Sequence, residues 1–273
     1  MNREDALKIS DDAIEQLTSA LEQGHSEKLT AYIRTLSRFH RYSFGNVMLI
    51  TFQRPNATHV AGYATWKKLG RHVKKGEHGL AILAPIVCRP KLDENSLHPT
   101  ASDEEQRPTP LRGFKVVSVF DVSQTDGKPL PQFARVQGSP GEYLDRLSAI
   151  VQSHGIKIEH AEISSGAQGL SLGGTITIRP DLEPADEFSV LVHEFAHELL
   201  HKGERRMKTT KLVRETEAEA VAFVVSHAIG LESSSHSSDY IQLYQGDKDT
   251  LAESLDYIQR TATKIIRSLN PTA

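Results

Sequence analysis

Residues 193–197 read His-Glu-Phe-Ala-His inside an apolar-periodic stretch running from Pro184 to His201. Two histidines four residues apart on a helix lie one turn above each other on a single face, so both imidazoles reach one metal ion. The intervening Glu194 is angled toward a metal-bound water rather than the metal. Zinc lowers the pKa of such a water to roughly 7, and a glutamate beside it takes the proton as the water attacks a carbonyl. The chain holds one cysteine, Cys88, in an apolar stretch that reads as a packed thiol. A multi-cysteine zinc site and an internal disulfide are therefore excluded, and histidines and carboxylates must hold any metal.

A catalytic zinc takes three protein ligands and leaves a fourth position open. The third is sought in the next helical stretch, Val213–Ile229, which carries Arg214-Glu215-Thr216-Glu217-Ala218-Glu219. Glu215 and Glu219 share a face, so Glu215 is assigned as ligand and Glu219 as hydrogen-bond partner to a ligand histidine. Small Ala218 lets the two helices approach. His201 reads as a helix C-terminal residue facing the dipole, and Glu217 as part of a solvated face. Zinc suits the donor set, and manganese and cobalt bind such sites too.

The net charge of −3 conceals a polarised chain. Between Thr30 and Lys91 stand 11 Lys and Arg against one acid, Glu77, a balance of +10, while all other residues sum to −13. Seven of the 17 aromatics fall in the same window, among them Phe44, Phe52, Tyr63 and Trp66. Cations track phosphates and aromatic faces stack on unpaired bases, a mixture suited to single-stranded nucleic acid. No helix-turn-helix or zinc-finger pattern appears. The glycine-punctuated run Gly70–Gly79 reads as a turn or hairpin in which Arg71, Lys74 and Lys75 contact phosphate. Arg41, Asn46, Trp66, Lys67 and Lys68 complete the candidate DNA-binding set. Packed core for the aromatics and solvated turns for the lysines is the competing reading.

The element pattern is α+β. Helical spacing marks residues 6–21, with Gly24 as a stop, and Glu27–Phe39, ahead of the apolar run Val47–Phe52. Leu80–Arg89 and Phe114–Val122 read as strands flanking an acidic excursion, Leu92–Pro110, expected to be mobile. Gln137–Gly141 is the expected domain boundary, giving 1–136 and 141–273. The second part reads as helix Glu142–His154, strand Ile156–His160, short segments at Leu170–Leu172 and Thr175–Arg179, and helices Pro184–His201, Val213–Ile229 and Lys248–Leu269. Gly166–Gly174 lacks a phosphate-loop lysine and reads as turns, as Ser233–Ser238 reads as a loop. The charged N-terminus and the shortness of the apolar run Val221–Val225 point to a cytoplasmic protein with no membrane partner.

Both halves together resemble the ArdC family of plasmid and mobile-element antirestriction proteins. The likeness rests on Ser43-Phe44-Gly45-Asn46, the run Trp66–Glu77, Phe120-Asp121-Val122-Ser123-Gln124-Thr125, and HExxH followed by Glu215-Thr216-Glu217-Ala218-Glu219. The resemblance implies an N-terminal single-stranded-DNA-binding domain followed by a zincin-like metallopeptidase domain. It further implies protection of incoming DNA from restriction, and the plan is also similar to proteases that digest DNA-bound proteins. Two other readings stand beside it: a DNA-coating protein whose zinc is not catalytic, and an ImmA-like regulatory protease that cleaves a repressor.

Overall fold

The computed structural model describes residues 2–23, 27–87, 111–129, 139–231 and 248–270. Cys88, Arg89, Lys91, Leu92–Pro110, Gly24, residues 130–138 at the expected boundary and Ser233–Ser238 lie outside them. The fold is α+β, and its contacts group into two compact units: Met1–Ser10 with Met48–Gly127, and Asp11–Val47 with Lys128–Ala273. The contact grouping cuts the chain at other points than the expected division into 1–136 and 141–273. Residues 11–47 cluster with the C-terminal residues because helix α2 (Glu27–Phe39) buries an apolar face of Leu29, Ile33 and Leu36 and packs on helix α8 (Lys211–Ala228). Helices α1 (Arg3–Glu22) and α3 (Phe44–Gln53) each span a point of division.

The first unit holds an antiparallel sheet in the order β1 (Val60–Gly62), β4 (Leu111–Asp121), β3 (Leu80–Val87). Leu80 and Ile82 of β3 and Val119 of β4 are buried with Leu49, Ile50 and Trp66. Helix α4 (Tyr63–Lys68) follows β1, and β2 (Arg71–Val73) then pairs with β5 (Thr125–Gly127), so its partner lies some fifty residues on rather than across a local hairpin. Asp121 knots the unit together by accepting from the backbone N–H groups of Thr58 (2.8 Å), His59 (3.1 Å) and Ser123 (2.9 Å). Burial works against its charge, but these donors and the Ser123 hydroxyl hold its carboxyl below the usual range. Gln124 bonds Glu77 and the carbonyl of His78, both at 2.8 Å.

In the second unit β6 (Lys157–His160) runs parallel to β8 (Thr175–Ile178), and β7 (Gly169–Ser171) pairs antiparallel with β8 as an edge strand. Helices α5 (Glu142–Ser153) and α6 (Pro184–Leu200) pack together, the short α7 (Gly203–Lys208) follows, α6 packs on α8, and α9 (Lys248–Leu269) covers α8 as well. Pro184 occupies the first turn of α6, where its missing N–H costs nothing, and Thr210 caps α8 by accepting from the N–H of Val213. Buried Ala218, Ala220 and Ala222 keep α8 slim among its neighbours. No helix among the described residues is long and apolar enough to cross a membrane.

Candidate metal centre and basic surface

Helix α6 presents His193 and His197 on one face, with their Nε2 atoms 3.1 Å apart. Glu215 on α8 brings Oε2 to 3.5 Å from each of them. One donor atom from each of the three lies within 4.8 Å of the others. Glu219, one turn on, places Oε2 3.4 Å from His193 Nδ1.

A second chain of contacts fixes the tautomer of His197. Glu217 has no exposed surface and its Oε2 stands 2.9 Å from His201 Nε2. An ionised carboxylate only accepts, so His201 carries its proton on Nε2. Burial keeps His201 below its ordinary pKa despite Glu217, so the ring is neutral and its Nδ1 accepts. That Nδ1 lies 2.9 Å from Nδ1 of His197, which therefore donates and leaves its own Nε2 lone pair facing His193. Arg205 closes the chain at 2.5 Å from Glu217 Oε1, with its guanidinium 3.4 Å over the Tyr257 ring. Burial opposes the Glu217 charge, yet His201, Ser254 and Arg205 hold that carboxyl below its ordinary range.

Two imidazole nitrogens, each with its proton committed on the far side of the ring, thus converge with a carboxylate oxygen on one point. This donor set fits a divalent cation. Burial works against charge on His193, but Glu215 and Glu219 push its pKa up to about 9. At neutral pH a cation must displace that proton, so divalent-ion affinity should rise about tenfold per unit from pH 6 toward 9 and flatten above. Competition against a chromogenic chelator across that range checks the slope. In the metal-free chain the same raised pKa stabilises the fold below about 6.5 and the benefit is lost as pH climbs through about 9.

Glu194 lies outside the three-residue donor cluster, in a nearly closed niche. Burial pushes its carboxyl up, while the nearby His193 and His197 and the backbone N–H of Ser171 draw it down. The edge strand β7 forms the niche wall, and Gly169 is the closest point: a Cβ there would lie 2.6 Å from Val190 Cγ1 and 2.8 Å from Glu194 Cγ. Glu198, on the next turn, anchors the β7–β8 turn by accepting from Ser171 Oγ (2.6 Å) and the N–H groups of Gly173 (2.8 Å) and Gly174 (3.1 Å). Gly169→Ala should cost about 1–3 kcal/mol in urea unfolding, because a well-filled site must give way.

The structure places the sequence-derived residues unequally. His193, Glu194, His197, Glu215 and Glu219 come together. Glu217 is not on a solvated face, while His201 ends α6 as its C-cap, as expected; both are buried in the chain of contacts behind His197. Arg205, Glu198, Gly169 and Ser171 were not singled out at all. The third histidine at a four-residue step was the one legible signal for this network.

The candidate nucleic-acid surface is revised more heavily. Trp66 is 2% exposed and its Nε1 donates to the carbonyl of Phe120 at 2.9 Å, so it is core and offers no stacking face. Asn46 is also buried, on the inner side of α3. Arg71 spends its guanidinium on Thr125 Oγ1 (2.8 Å) and the Thr125 carbonyl (2.9 Å), clasping β5. Lys74 donates to the Ser123 carbonyl at 3.0 Å and lies 3.7 Å from Asp126. Lys67, Lys68 and Lys75 remain exposed, and Tyr63, 60% exposed, stands one turn before Lys67 on α4. Phe52 is 70% exposed. Arg41 is exposed but belongs to the other unit.

Residues 7–120 match the family model of the N-terminal domain of anti-restriction factor ArdC. Among solved structures, the chain is similar to the antirestriction ArdC protein from the R388 plasmid in its Mn(II)-bound form. That match has a TM-score of 0.53 and 18% identity, covering 97% of this chain and 99% of that one. The metal-free form of the same protein aligns with a TM-score of 0.48 over 85% of this chain and 86% of that one, again at 18% identity. An uncharacterized protein of Bacillus anthracis, pXO2-81, is 25% identical over 98% of this chain and 52% of its own length. The chain thus spans about half the length of the curated relative it matches.

Proposed function

We propose that this ArdC-like chain, with the ArdC N-terminal domain over residues 7–120 and the ArdC fold, is a single-stranded-DNA-binding antirestriction protein with a metallopeptidase centre. It would protect incoming mobile-element DNA and cleave proteins associated with that DNA. The observation that carries this reading is the presence, in one chain, of a His193–His197–Glu215 donor set beside the buried carboxylate of Glu194 and an exposed row of cations with unburied aromatics. Zinc is the metal expected from the donors, and the R388 protein, which has been solved with Mn(II), makes manganese a second candidate.

A bound divalent ion would act as a Lewis acid, acidifying water and polarising a peptide carbonyl. The remaining work falls to the chain's own residues. Glu219 and the His201–Glu217 pair hold the two imidazoles in the tautomers that offer Nε2. Glu194, its affinity for a proton raised by burial, takes a proton from the attacking water and delivers it to the departing amine. Glu215, whose side chain is 48% exposed, leaves one side of the centre open to a substrate.

On the nucleic-acid side, Lys67, Lys68 and Lys75 meet phosphates, and Tyr63 and Phe52 offer stacking faces to bases. Binding of single- and double-stranded oligonucleotides across a salt series tests this. A preference for the single strand is expected, with a log–log slope of about −0.7 for each phosphate neutralised. No binding, or equal weak binding to both forms, would contradict the DNA assignment and favour the repressor-cleaving reading.

A further inference from the structure

The second unit carries a cationic surface of its own. On α2 and the turn after it, Arg34, Arg38 and Arg41 are exposed at steps of four and three residues. On α9, Arg260, Lys264 and Arg267 are exposed at the same steps. Steps of four and three keep side chains on one helical face, roughly 6 Å apart along the axis.

The turn after α2 is fastened to α9. Gln259 Nε2 donates to the carbonyls of His40 (3.1 Å) and Tyr42 (2.6 Å), so the backbone bearing Arg41 is clipped to α9. Thr263 Oγ1 donates to the same His40 carbonyl. An open groove of about 390 Å³ lies along this face of α9, lined by Gln259, Arg260, Thr263, Lys264, Arg267 and Ser268. Arg260 has an acidic partner, Asp256, at 3.0 Å. Among the described residues, Arg41, Lys264 and Arg267 have no carboxylate within ion-pair distance. His40 is pushed down to about 4, chiefly by burial, with Arg41 and Arg267 adding in lesser part.

We infer that the α9 groove, with Arg41 beside it, binds the phosphodiester backbone of a nucleic-acid strand, making the metal-bearing unit a second DNA-contacting surface. Solvated cations strung along α9 and beside it at Arg41, three of them without a carboxylate partner among the described residues, suit a linear polyanion. A compact anion would need converging cations, whereas these are strung in rows. This inference rests on the reading of the chain as a single-stranded-DNA-binding protein and adds a site to it.

The test uses the full chain and a fluorescent oligothymidylate followed by anisotropy across a salt series. Lys264→Glu/Arg267→Glu should weaken binding by about tenfold or more at moderate salt and flatten the log–log slope by about 1.4, two phosphates' worth. Lys264→Gln/Arg267→Gln should show the same flattening with a smaller loss of affinity, and an unchanged thermal melt of this neutral pair excludes misfolding as the cause. Wild-type affinity and slope in both variants, with Lys67→Glu/Lys68→Glu still impaired, would overturn this inference and leave the proposed function standing. Failure of the wild-type chain to bind the oligonucleotide would overturn both, as would binding of polyglutamate in its place through the same residues.

Discussion

Replacing Glu194 with glutamine should lower peptide-bond hydrolysis by about a hundred- to ten-thousand-fold while leaving divalent-ion binding intact. The substitution preserves volume and the ability to accept from the Ser171 N–H, so the niche beside Gly169 stays filled. What it removes is the group that takes and returns a proton. Glu194 contributes no donor to the His193–His197–Glu215 cluster, so metal stoichiometry should not change. Steady-state cleavage of an unstructured protein substrate, with metal content measured on the same sample, separates the two effects. A variant that still cleaves at the wild-type rate would remove Glu194 from the chemistry. Loss of the metal would make it part of the donor set instead.

The second large effect is expected behind the ligands. Glu217→Ala leaves His201 Nε2–H and the Arg205 guanidinium without the carboxylate that both address, in a place with no exposed surface. Breaking a buried charge pair from one side costs about 3–5 kcal/mol. Glu217→Gln is milder for the fold but still disturbs the tautomers: an amide offers one acceptor oxygen where two donors now approach. His197 then loses the contact that fixes its Nδ1 proton, and divalent-ion affinity should fall about ten- to a hundredfold. Urea unfolding of the alanine variant and chelator competition on the glutamine variant read these outcomes separately. Near-wild-type values in both would mean that the His197–His201–Glu217 chain does not position the centre.

The ligand-bearing helices were legible because their chemistry is local. HExxH needs only helical geometry to converge, and Glu215 with Glu219 repeats the same four-residue step, so spacing alone predicts which atoms meet. Glu217 shows where that logic stops. Its step relative to Glu215 correctly turns it off the ion-facing side, but what lies on the other side is decided by how the chain reverses after Leu200 and returns Arg205 toward α8. Sequence periodicity carries no information about that packing.

Trp66 and Arg71 illustrate a different limit. An aromatic or a guanidinium reads equally well as a nucleic-acid contact or as scaffold. Here the pairing of β1 with β4 claimed Trp66 for the interior of the first unit, and that of β2 with β5 committed the half-buried Arg71 to Thr125. The run Phe120–Thr125 has the same explanation, since Asp121, Gln124 and Thr125 are the partners that hold residues 58, 59, 71 and 77 in place. The grouping of residues 11–47 with the C-terminal residues has a related origin. The amphipathic face of α2 has its partner in α8, nearly two hundred residues away, and no compositional shift marks such a contact. The basic row on α9 was masked by the acidity of the residues around it, which sum to a negative charge when counted along the chain rather than across a surface.

The most direct test of the account is titration of the metal-free chain with Zn²⁺ and with Mn²⁺ by calorimetry, alongside His193→Ala, His197→Ala and Glu215→Ala. One equivalent of metal per chain is expected, with the tight site lost in either histidine variant and weakened in the glutamate variant. Undiminished binding in His193→Ala or His197→Ala would contradict the assignment of the metal centre, and with it the peptidase chemistry built on that centre.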